Sequence, residues 1–585
     1  MKRVIKIFLV CLLLVIVAVS ILLVGLYIHV KEEVRTPEVA TSATLRRINQ
    51  GTLIGFETDN GAHAWLGIPY AQPPIGALRW KAPRPALTWS GIHQAIDFSS
   101  ACVQQWHGAE DCLYLNVWAP NDVKVNQSLP VMFWIHGGGN TGGSSKSASY
   151  DGANLASTHD LIVVSINYRL GPFGWFRHPA LLTESPTDNS GNYGTLDIIE
   201  ALRWVRDNIH EFGGDAENVT IFGESAGGFN VLSMMVSPQS KDLFHKAIVQ
   251  SGGIDIAPVA LAENYVDDTN PGSSRSSREM VNNLLVIDSL AQSGPPMTRQ
   301  IAKMHQESMS AGELAEYMRG KSPNQILKAF EYQHPNQKDV QKQKIMGQPH
   351  TFGDGFVLPR GTETSVLFSD TSKYNAVPII LGTNRDEMTL FNLVNENYIK
   401  TLFGVLPIGF KDLGGYQKMI RYSSDLWKLS GVDSLATLMK KAQRGKVFAY
   451  RWDLDDLRDL GIIDLKLLLG ASHAMEIPFV FGNLTDSMRI YYQDSMTAEI
   501  EAVSNSMMSY WAHFAYTGDP SRGRSGQEVE WTEWQNGAPD QQRLMIFDSL
   551  SDRGNRMSSE RITKPMLEAR LLNDGPFEDK LGWGK

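Results

Sequence analysis

Cysteine and excess positive charge are both scarce in this sequence, and each scarcity excludes a class of protein. Three cysteines in 585 residues are too few for a disulfide-stapled scaffold, and neither their spacing nor their neighbours indicate a metal site. Lysine and arginine number 54 against 63 aspartates and glutamates, for a net charge of −9. No basic run is present that could neutralise a phosphate backbone, so we expect no nucleic-acid partner.

Internal repeats and low-complexity linkers are also absent after the N-terminal region. The content of 43% hydrophobic and 20% charged residues is ordinary for a globular protein. A chain of this length could hold several domains, but large α/β folds with insertions often form one unit. We therefore predict a single folded domain over residues 51–585, preceded by a polar tether at residues 31–50.

The N-terminus differs in character from the rest of the chain. Ile7 to Ile28 is an unbroken apolar stretch that follows Lys2, Arg3 and Lys6. As a helix it reaches about 33 Å, enough for a hydrocarbon core of about 30 Å. Residues 1–30 are predicted to be a membrane anchor, with the domain exported to the periplasm or the exterior. The alternative is a signal peptide that is cleaved, which makes the protein secreted.

Two cysteines, Cys102 and Cys112, lie outside the apolar stretch. In an exported domain they are expected to pair, whereas in a cytoplasmic domain they would be free buried thiols.

Beyond Pro120, buried strands alternate with helices. Apolar runs of the kind that parallel strands require occur at residues 131–135, 161–166, 219–222, 247–250, 377–381 and 447–452. Residues 195–212 have helical periodicity. The pattern predicts a doubly wound α/β fold with a mostly parallel sheet and helices on both faces. The strand rhythm stops at about residues 254–355, which indicates a large insertion.

The stretch from Thr220 to Phe229 carries the strongest chemical signal. Gly223 and Gly227 bracket Ser225 in the Gly-x-Ser-x-Gly pattern of a nucleophile elbow, where a strand turns sharply into a helix. The N–H of Ala226 and the helix dipole would then face negative charge that forms beside Ser225. On its own the pattern is equally compatible with a plain turn.

A serine nucleophile needs a histidine base and an acid that orients the histidine. In an α/β-hydrolase these follow the serine in the order acid, then histidine. His473 lies in a small-residue loop, while His513 lies in an aromatic helical stretch typical of a packed histidine, so we favour His473. For the acid, Asp386 and Glu387 rank alike at the end of one strand. Asp453 is a weaker rival after another strand.

Glycines after the strand at residues 131–135 complete the constellation. His136-Gly-Gly-Gly-Asn allows backbone N–H groups to approach an oxyanion closely, as in lipases and esterases. The alternative is a glycine turn without such a role. His136 itself is predicted to be structural. The insertion is expected to form a wall over the site, with a peripheral elaboration as the alternative.

Several longer motifs make the chain resemble the type-B carboxylesterases, the group of cholinesterases and bacterial para-nitrobenzyl esterases. They are Glu110-Asp-Cys-Leu-Tyr-Leu-Asn-Val-Trp, Trp134-Ile-His-Gly-Gly-Gly, Asn167-Tyr-Arg-Leu-Gly, Phe212-Gly-Gly-Asp through Gly223-Glu-Ser-Ala-Gly-Gly, and Phe514-Ala-Tyr-Thr-Gly-Asp-Pro. The likeness runs from about Leu53 to the C-terminus. It implies an α/β-hydrolase fold.

The same resemblance implies roles for individual residues. Ser225 would be the nucleophile, Glu387 the acid and His473 the base, which breaks the tie against Asp386. The oxyanion donors implied are the N–H groups of Gly138, Gly139 and Ala226. A Cys102 to Cys112 disulfide and a supporting hydrogen-bonding role for Ser251 are also implied. Asn140 replaces an aromatic residue of many relatives, which predicts an altered pocket mouth.

The function expected is hydrolysis of small-molecule carboxylic esters through an acyl-enzyme, with no cofactor. Two alternatives remain open at this point. An amidase or carbamate hydrolase uses the same triad, and a cholinesterase-like adhesion protein has the fold without the activity.

Overall fold

A computed structural model describes residues 38–105, 107–290, 296–332, 351–361, 363–443 and 445–574. The predicted anchor at residues 1–30 lies outside these ranges. Within them, no helix combines the length and apolar character needed to cross a membrane. The first element of the described residues is a 3-10 turn at Ser42–Thr44, inside the segment predicted as a tether. Thr44 and Arg46 of that segment are buried.

The strands of the described residues comprise one large sheet and three small ones. They are β1 Arg46–Ile48, β2 Gly51–Ile54, β3 Phe56–Glu57, β4 Ala62–Pro69, β5 Ile92–Gln94, β6 Tyr114–Pro120, β7 Leu129–Ile135, β8 Ile162–Ile166, β9 Gly214–Glu224, β10 Lys246–Gln250, β11 Ile256–Ala257, β12 Thr351–Phe352, β13 Ile379–Asn384, β14 Ile399–Leu402, β15 Leu406–Phe410, β16 Val447–Trp452, β17 Leu544–Phe547 and β18 Arg556–Ser558. The buried strands predicted from apolar runs are confirmed, to within a few residues at each end.

Helices cover both faces of the large sheet. They are Ala153–His159, Gly171–Gly174, Tyr193–Asn208, Ala226–Val236, Val259–Glu263, Ser277–Leu290, Arg299–Ser308, Ala311–Arg319, Pro323–Glu331, Thr364–Leu367, Leu413–Lys428, Ser434–Gln443, Leu465–Leu468, Ile477–Phe481, Asp486–Arg489, Thr497–Thr517 and Lys564–Asp574. The predicted helix at residues 195–212 is confirmed as Tyr193–Asn208, followed by a 3-10 turn at Ile209–Phe212.

The large sheet has the strand order β18-β17-β16-β13-β10-β9-β7-β8-β6-β4-β3. The strands from β17 to β8 run parallel to one another, and antiparallel strands extend the sheet at both edges. Parallel strands all end at one edge of the sheet, where α/β proteins bind ligands. The loops after β7, β9, β10 and β13 carry Gly138, Ser225, Ser251 and Glu387, so the sheet gathers the predicted residues.

Two apolar cores hold the sheet between its helices. Side chains alternate across each strand, so Phe133 and Ile221 enter one core while their neighbours Trp134 and Phe222 enter the other. The ring centroids of Trp134 and Phe222 lie 4.8 Å apart. This double burial explains why the strands read as continuous apolar runs rather than alternating ones.

The insertion forms a helical layer whose two ends are joined. β11 pairs with β12 in parallel, which closes the base of the segment. Between them the helices Ala311–Arg319 and Pro323–Glu331 each begin with a capping box, at Ser310 and Ser322. The insertion packs against Trp175 and Phe176 beside the helix Tyr193–Asn208. Its role as a wall over the site stays a prediction.

The disulfide between Cys102 and Cys112 is present, with the two cysteines 10 positions apart in the chain. We expect the double variant Cys102→Ser/Cys112→Ser to lose about 3 kcal/mol of unfolding free energy, because the unfolded chain regains the entropy of an open loop. The midpoint of urea unfolding measures this loss. Cys11→Ser, outside the domain, serves as the control and should leave the midpoint unchanged. Equal midpoints for all three proteins would contradict the prediction.

Candidate active site

Ser225 lies at the sharp turn between β9 and the helix Ala226–Val236. Its backbone has φ 55° and ψ −123°, a strained combination for a residue with a side chain. A Cβ atom on Gly227 would lie 1.9 Å from the carbonyl oxygen of Ile135, and one on Gly223 would lie 2.6 Å from it. The two glycines are therefore required by the close approach of β7. Ser225 is half-buried, and its N–H donates to the carbonyl of Gln250 at 2.9 Å.

His473 and Glu387 meet although 86 positions separate them. The Nδ1 atom of His473 forms a hydrogen bond with Oε2 of Glu387. The other carboxylate oxygen of Glu387 accepts from the hydroxyl of Thr383 at 2.6 Å and from the N–H of Asn384 at 2.7 Å. Both members of the pair are buried, with 4% of His473 and 0% of Glu387 exposed. The carboxylate is thereby fixed on one side and directed at the imidazole on the other.

The charges of the pair follow from its surroundings. Burial alone would raise the pKa of Glu387, but His473, Ser251 and Thr383 together bring it below its ordinary value. Burial alone would lower the pKa of His473, but the carboxylates of Glu224 and Glu387, with a smaller contribution from Glu476, raise it. The site therefore holds Glu387 as a carboxylate and makes the imidazole a stronger base than usual.

Glu224 is a second carboxylate in contact with the histidine, and it was not predicted from the sequence. Its Oε1 lies 3.1 Å from Nε2 of His473, and burial raises its pKa to about 8. The signal available was its position directly before Ser225. Neighbouring residues on a strand point to opposite faces, so contact with the same histidine was not expected. The turn at Ser225 ends that alternation.

Glu476 supports both loops from below. It is fully buried and accepts from Nδ2 of Asn384 at 2.6 Å and from Nε2 of Gln250 at 3.1 Å. The same Nδ2 atom of Asn384 donates to the carbonyl of Ser472 at 2.7 Å. These bonds connect the ends of β10 and β13 to the loop that carries His473.

The glycine turn after β7 lies against Ser225. A Cβ atom on Gly137 would be 3.1 Å from Cβ of Ser225. Gly138 and Gly139 have φ values of +101° and +62°, and Gly138 is exposed while Gly139 is half-buried. In the described part of the chain, no hydrogen bond uses the N–H of Gly138, Gly139 or Ala226. These three donors are therefore available to a bound oxyanion.

His136 and Asn140, on either side of the glycine turn, are both buried and contact other parts of the domain. His136 is buried and stacks on Tyr168 with ring centroids 4.4 Å apart, and burial lowers its pKa to about 4. Asn140 is only 3% exposed, and its Oδ1 accepts from Nδ2 of Asn230 at 2.9 Å. The Asn140 side chain is therefore directed inward to the helix after Ser225, and the altered pocket mouth expected from the missing aromatic residue stays a prediction.

The rival acids and the rival base have other partners. Asp386 pairs with Arg385, at 2.7 Å from Nη2, and accepts from the N–H of Ala471 at 2.9 Å. Asp453 pairs with Arg451. His513 is half-buried within the helix Thr497–Thr517. The structure thus separates two adjacent carboxylates that the residue pattern alone left equal.

Ser251 is fully buried and has a φ of 50°. Its N–H donates to the carbonyl of Gly382 at 2.8 Å, which ties the loop after β10 to β13. Within the described residues its hydroxyl forms no hydrogen bond of good geometry, yet it lies close enough to Glu387 to help lower the pKa of that carboxyl.

Aromatic side chains surround the imidazole. The rings of Phe391 and Trp427 have centroids 5.0 Å and 5.4 Å from that of His473, and Phe229 lies 6.2 Å from Trp427. Trp427 lies in the last turn of the helix Leu413–Lys428, which a π-helical turn at Leu429–Asp433 follows. This part of the wall comes from the segment between β13 and β16, whereas the sequence reasoning considered only the insertion at residues 254–355.

The sheet topology and the sharp turn at Ser225 define the class of α/β-hydrolases. Comparison with known proteins narrows the class. Residues 42–402 and 415–562 match the family model described as the Carboxylesterase family. The chain belongs to this family: it is a type-B carboxylesterase, a carboxylic ester hydrolase.

Individual relatives cover most of the chain. It is 32% identical over 532 residues to the para-nitrobenzyl esterase of Bacillus subtilis (strain 168), spanning 87% of this chain and 95% of that protein. It is 31% identical over 522 residues to the acylcarnitine hydrolase of Mus musculus, spanning 81% and 82%. A solved para-nitrobenzyl esterase superposes with a TM-score of 0.64 at 27% identity, covering 91% of this chain and 100% of that one.

Proposed function

We propose that the chain hydrolyses carboxylic esters with Ser225, His473 and Glu387 as its catalytic triad. The observation that carries the proposal is the position of His473, with Nδ1 bonded to Glu387 and Nε2 facing the residue next to Ser225. Ser225 attacks the ester carbonyl while His473 takes its proton. His473 then donates that proton to the leaving alcohol, and water hydrolyses the acyl-enzyme by the same route.

The oxyanion of each tetrahedral intermediate is proposed to accept hydrogen bonds from the N–H groups of Gly138, Gly139 and Ala226. Each such donor contributes about 3–4 kcal/mol to lowering a barrier of this kind. Their support is that no hydrogen bond among the described residues uses them, that Ala226 follows Ser225 directly, and that the glycine turn lies against Ser225 at Gly137. The aromatic residues Phe229, Phe391 and Trp427 favour an ester with an apolar or aromatic group, as the name para-nitrobenzyl esterase says of the Bacillus subtilis relative.

A fluorophosphonate probe and paired substrates test this function. We expect the probe to label Ser225 alone, and p-nitrophenyl butyrate to be hydrolysed far faster than the matching anilide. Labelling that survives Ser225→Ala would defeat the proposal. Absence of both labelling and hydrolysis would favour an adhesion protein, and equal rates on ester and anilide would favour an amidase.

The pH profile of kcat/KM should report the carboxylates around His473. The histidine accepts a proton only when neutral, so activity rises with pH through its pKa, which the carboxylates raise above 6.5. In Glu224→Gln one of these charges is lost, and the rising limb is expected to move about one pH unit lower. Glu217→Gln, on the same strand but 86% exposed, is the control with an unchanged limb. A limb that stays in place in Glu224→Gln would contradict this assignment.

We also propose that residues 1–30 hold the enzyme in a membrane, with the domain exported. The support is the apolar stretch from Ile7 to Ile28 and the disulfide, which is typical of oxidising compartments. Esterase activity of the full chain should sediment with membranes and move to the soluble fraction when residues 1–30 are deleted. If expression of the full chain instead gives a soluble protein of lower mass than the sequence predicts, the N-terminal segment is a cleaved signal peptide.

A further inference from the structure

A second cleft lies behind the loops that carry Glu387 and His473. Its volume is about 520 Å³, within the range of small-molecule sites. Arg385, Asp386 and Gly470 form part of its wall, but Ser225, Glu387 and His473 do not line it. It is therefore separate from the proposed catalytic site, although its wall belongs to the same loops.

Two of the four carboxylates that line the cleft, Asp386 and Asp455, are paired with cationic side chains. Arg385 places Nη2 at 2.7 Å from a carboxylate oxygen of Asp386 and at 2.6 Å from one of Asp455. Lys466 adds a contact of 2.9 Å to the second oxygen of Asp455. A cation would find no free carboxylate here.

The other two lining carboxylates, Asp425 and Glu560, are also paired with arginines. Arg570 of the helix Lys564–Asp574 pairs with Asp425 of the helix Leu413–Lys428. Arg451 contacts Glu560 at 2.5 Å. Every carboxylate that lines the cleft therefore has a cationic partner.

Two guanidinium groups remain. Arg421 is exposed on the helix Leu413–Lys428, and Arg561 is half-buried before the helix Lys564–Asp574. Among the described residues neither forms an ion pair or a hydrogen bond. Six cationic side chains line the cleft against four anionic ones, and a fifth carboxylate, Asp453, pairs with Arg451 from outside the lining. We propose that this cleft binds a small organic carboxylate, held by Arg421 and Arg561.

The rest of the lining selects the kind of anion. Ile420, Leu467 and Met566 supply apolar surface in the same cleft as the two guanidinium groups, and Met566 is 50% exposed. A guanidinium matches a carboxylate through two parallel hydrogen bonds, while apolar surface favours a short hydrocarbon tail over a fully hydrated ion. A carboxylate with an apolar tail would contact both the guanidinium groups and the apolar side chains of the lining.

Calorimetric titration of hexanoate into the full chain in a nonionic detergent tests the site. Ser225 is first blocked with diethyl p-nitrophenyl phosphate, so that binding in the catalytic site does not contribute. We expect saturable binding that weakens at least tenfold in Arg421→Gln/Arg561→Gln. Hexanamide, which has the same tail without the charge, should bind at least tenfold more weakly to the unsubstituted protein.

A charge-matched pair, Arg206→Gln/Arg522→Gln, removes two exposed arginines elsewhere and should leave hexanoate binding unchanged. Thermal unfolding checks that both double variants are folded. The proposal is overturned if hexanoate does not bind, if the control pair weakens it equally, or if hexanamide or inorganic phosphate binds as well. If mass spectrometry shows that Ser225 does not react with the blocking reagent, that result counts against the catalytic proposal. The binding of hexanoate to the cleft is then still judged by the loss in Arg421→Gln/Arg561→Gln.

Discussion

Ser225→Ala is expected to lower kcat for p-nitrophenyl butyrate by about 10⁴–10⁶-fold. The hydroxyl is the proposed nucleophile, and no other side chain at the turn can form the acyl-enzyme, so only binding and the oxyanion donors would remain. Stability should change little. Alanine meets the same strain at φ 55° as serine does, and the Ser225 side chain is only half-buried.

Ser233→Ala is the matched control for this substitution. Ser233 lies two turns further along the same helix, is 2% exposed, and its hydroxyl donates to the carbonyl of Phe229 at 3.0 Å. We expect full activity, because this bond only duplicates a carbonyl contact within the helix. Residual activity of Ser225→Ala within tenfold of the unsubstituted enzyme, measured on purified protein with an unchanged unfolding temperature, would require another nucleophile.

The elbow could be predicted from sequence because its constraints are local. Gly223 and Gly227 are needed where a Cβ would meet the carbonyl of Ile135, and the strand and helix on either side have their own hydrophobic patterns. The positions of the buried strands along the chain could likewise be predicted from apolar runs, because strands buried on both faces are apolar at every position.

The choice of acid could not be made from the pattern in the same way. Asp386 and Glu387 are adjacent, acidic and at the end of the same strand, so spacing treats them alike. What separates them is tertiary: Arg385 and the N–H of Ala471 bind Asp386, while Thr383 and Asn384 direct Glu387 at His473. Only the family resemblance distinguished them before the structure.

The contacts of Glu224 and Trp427 with His473 were not predicted from the sequence for a similar reason. Glu224 meets His473 where the backbone reverses at Ser225, and Trp427 reaches the same histidine from a helix that continues into a π-helical turn. At that turn Gly431 packs so closely on the loop after β10 that a Cβ would lie 2.3 Å from the carbonyl oxygen of Gly252. These contacts join residues that lie far apart in the sequence, so local sequence patterns could not predict them.

Three buried glutamates around one imidazole also have an energetic consequence. Glu387 and Glu476 accept hydrogen bonds, whereas burial raises the pKa of Glu224 to about 8, with Glu476 and Glu387 raising it further and His473 opposing the rise. When His473 takes the proton of Ser225, the imidazolium forms between two carboxyl groups. Its positive charge is then stabilised without movement of solvent.

Glu387→Gln is expected to lower kcat by about 10³–10⁴-fold while the protein stays folded. The amide keeps the shape of the side chain and its contact with Thr383, but it offers no negative charge to the imidazolium. It can also present an N–H to Nδ1, which favours the wrong tautomer of His473. Loss of the charge further lowers the pKa of His473, so the rising limb of kcat/KM should shift to lower pH.

Asp386→Asn supplies the decisive comparison, because it makes the same chemical change one residue earlier. Its side-chain oxygen can still accept from the N–H of Ala471, and Arg385 keeps Asp455 as a partner at 2.6 Å. We therefore expect kcat within tenfold of the unsubstituted enzyme and an unshifted pH limb. Comparable losses in the two variants would remove the distinction between the carboxylates. A larger loss in Asp386→Asn would transfer the role of the acid to Asp386, against the direction in which the loop after β13 points its side chains.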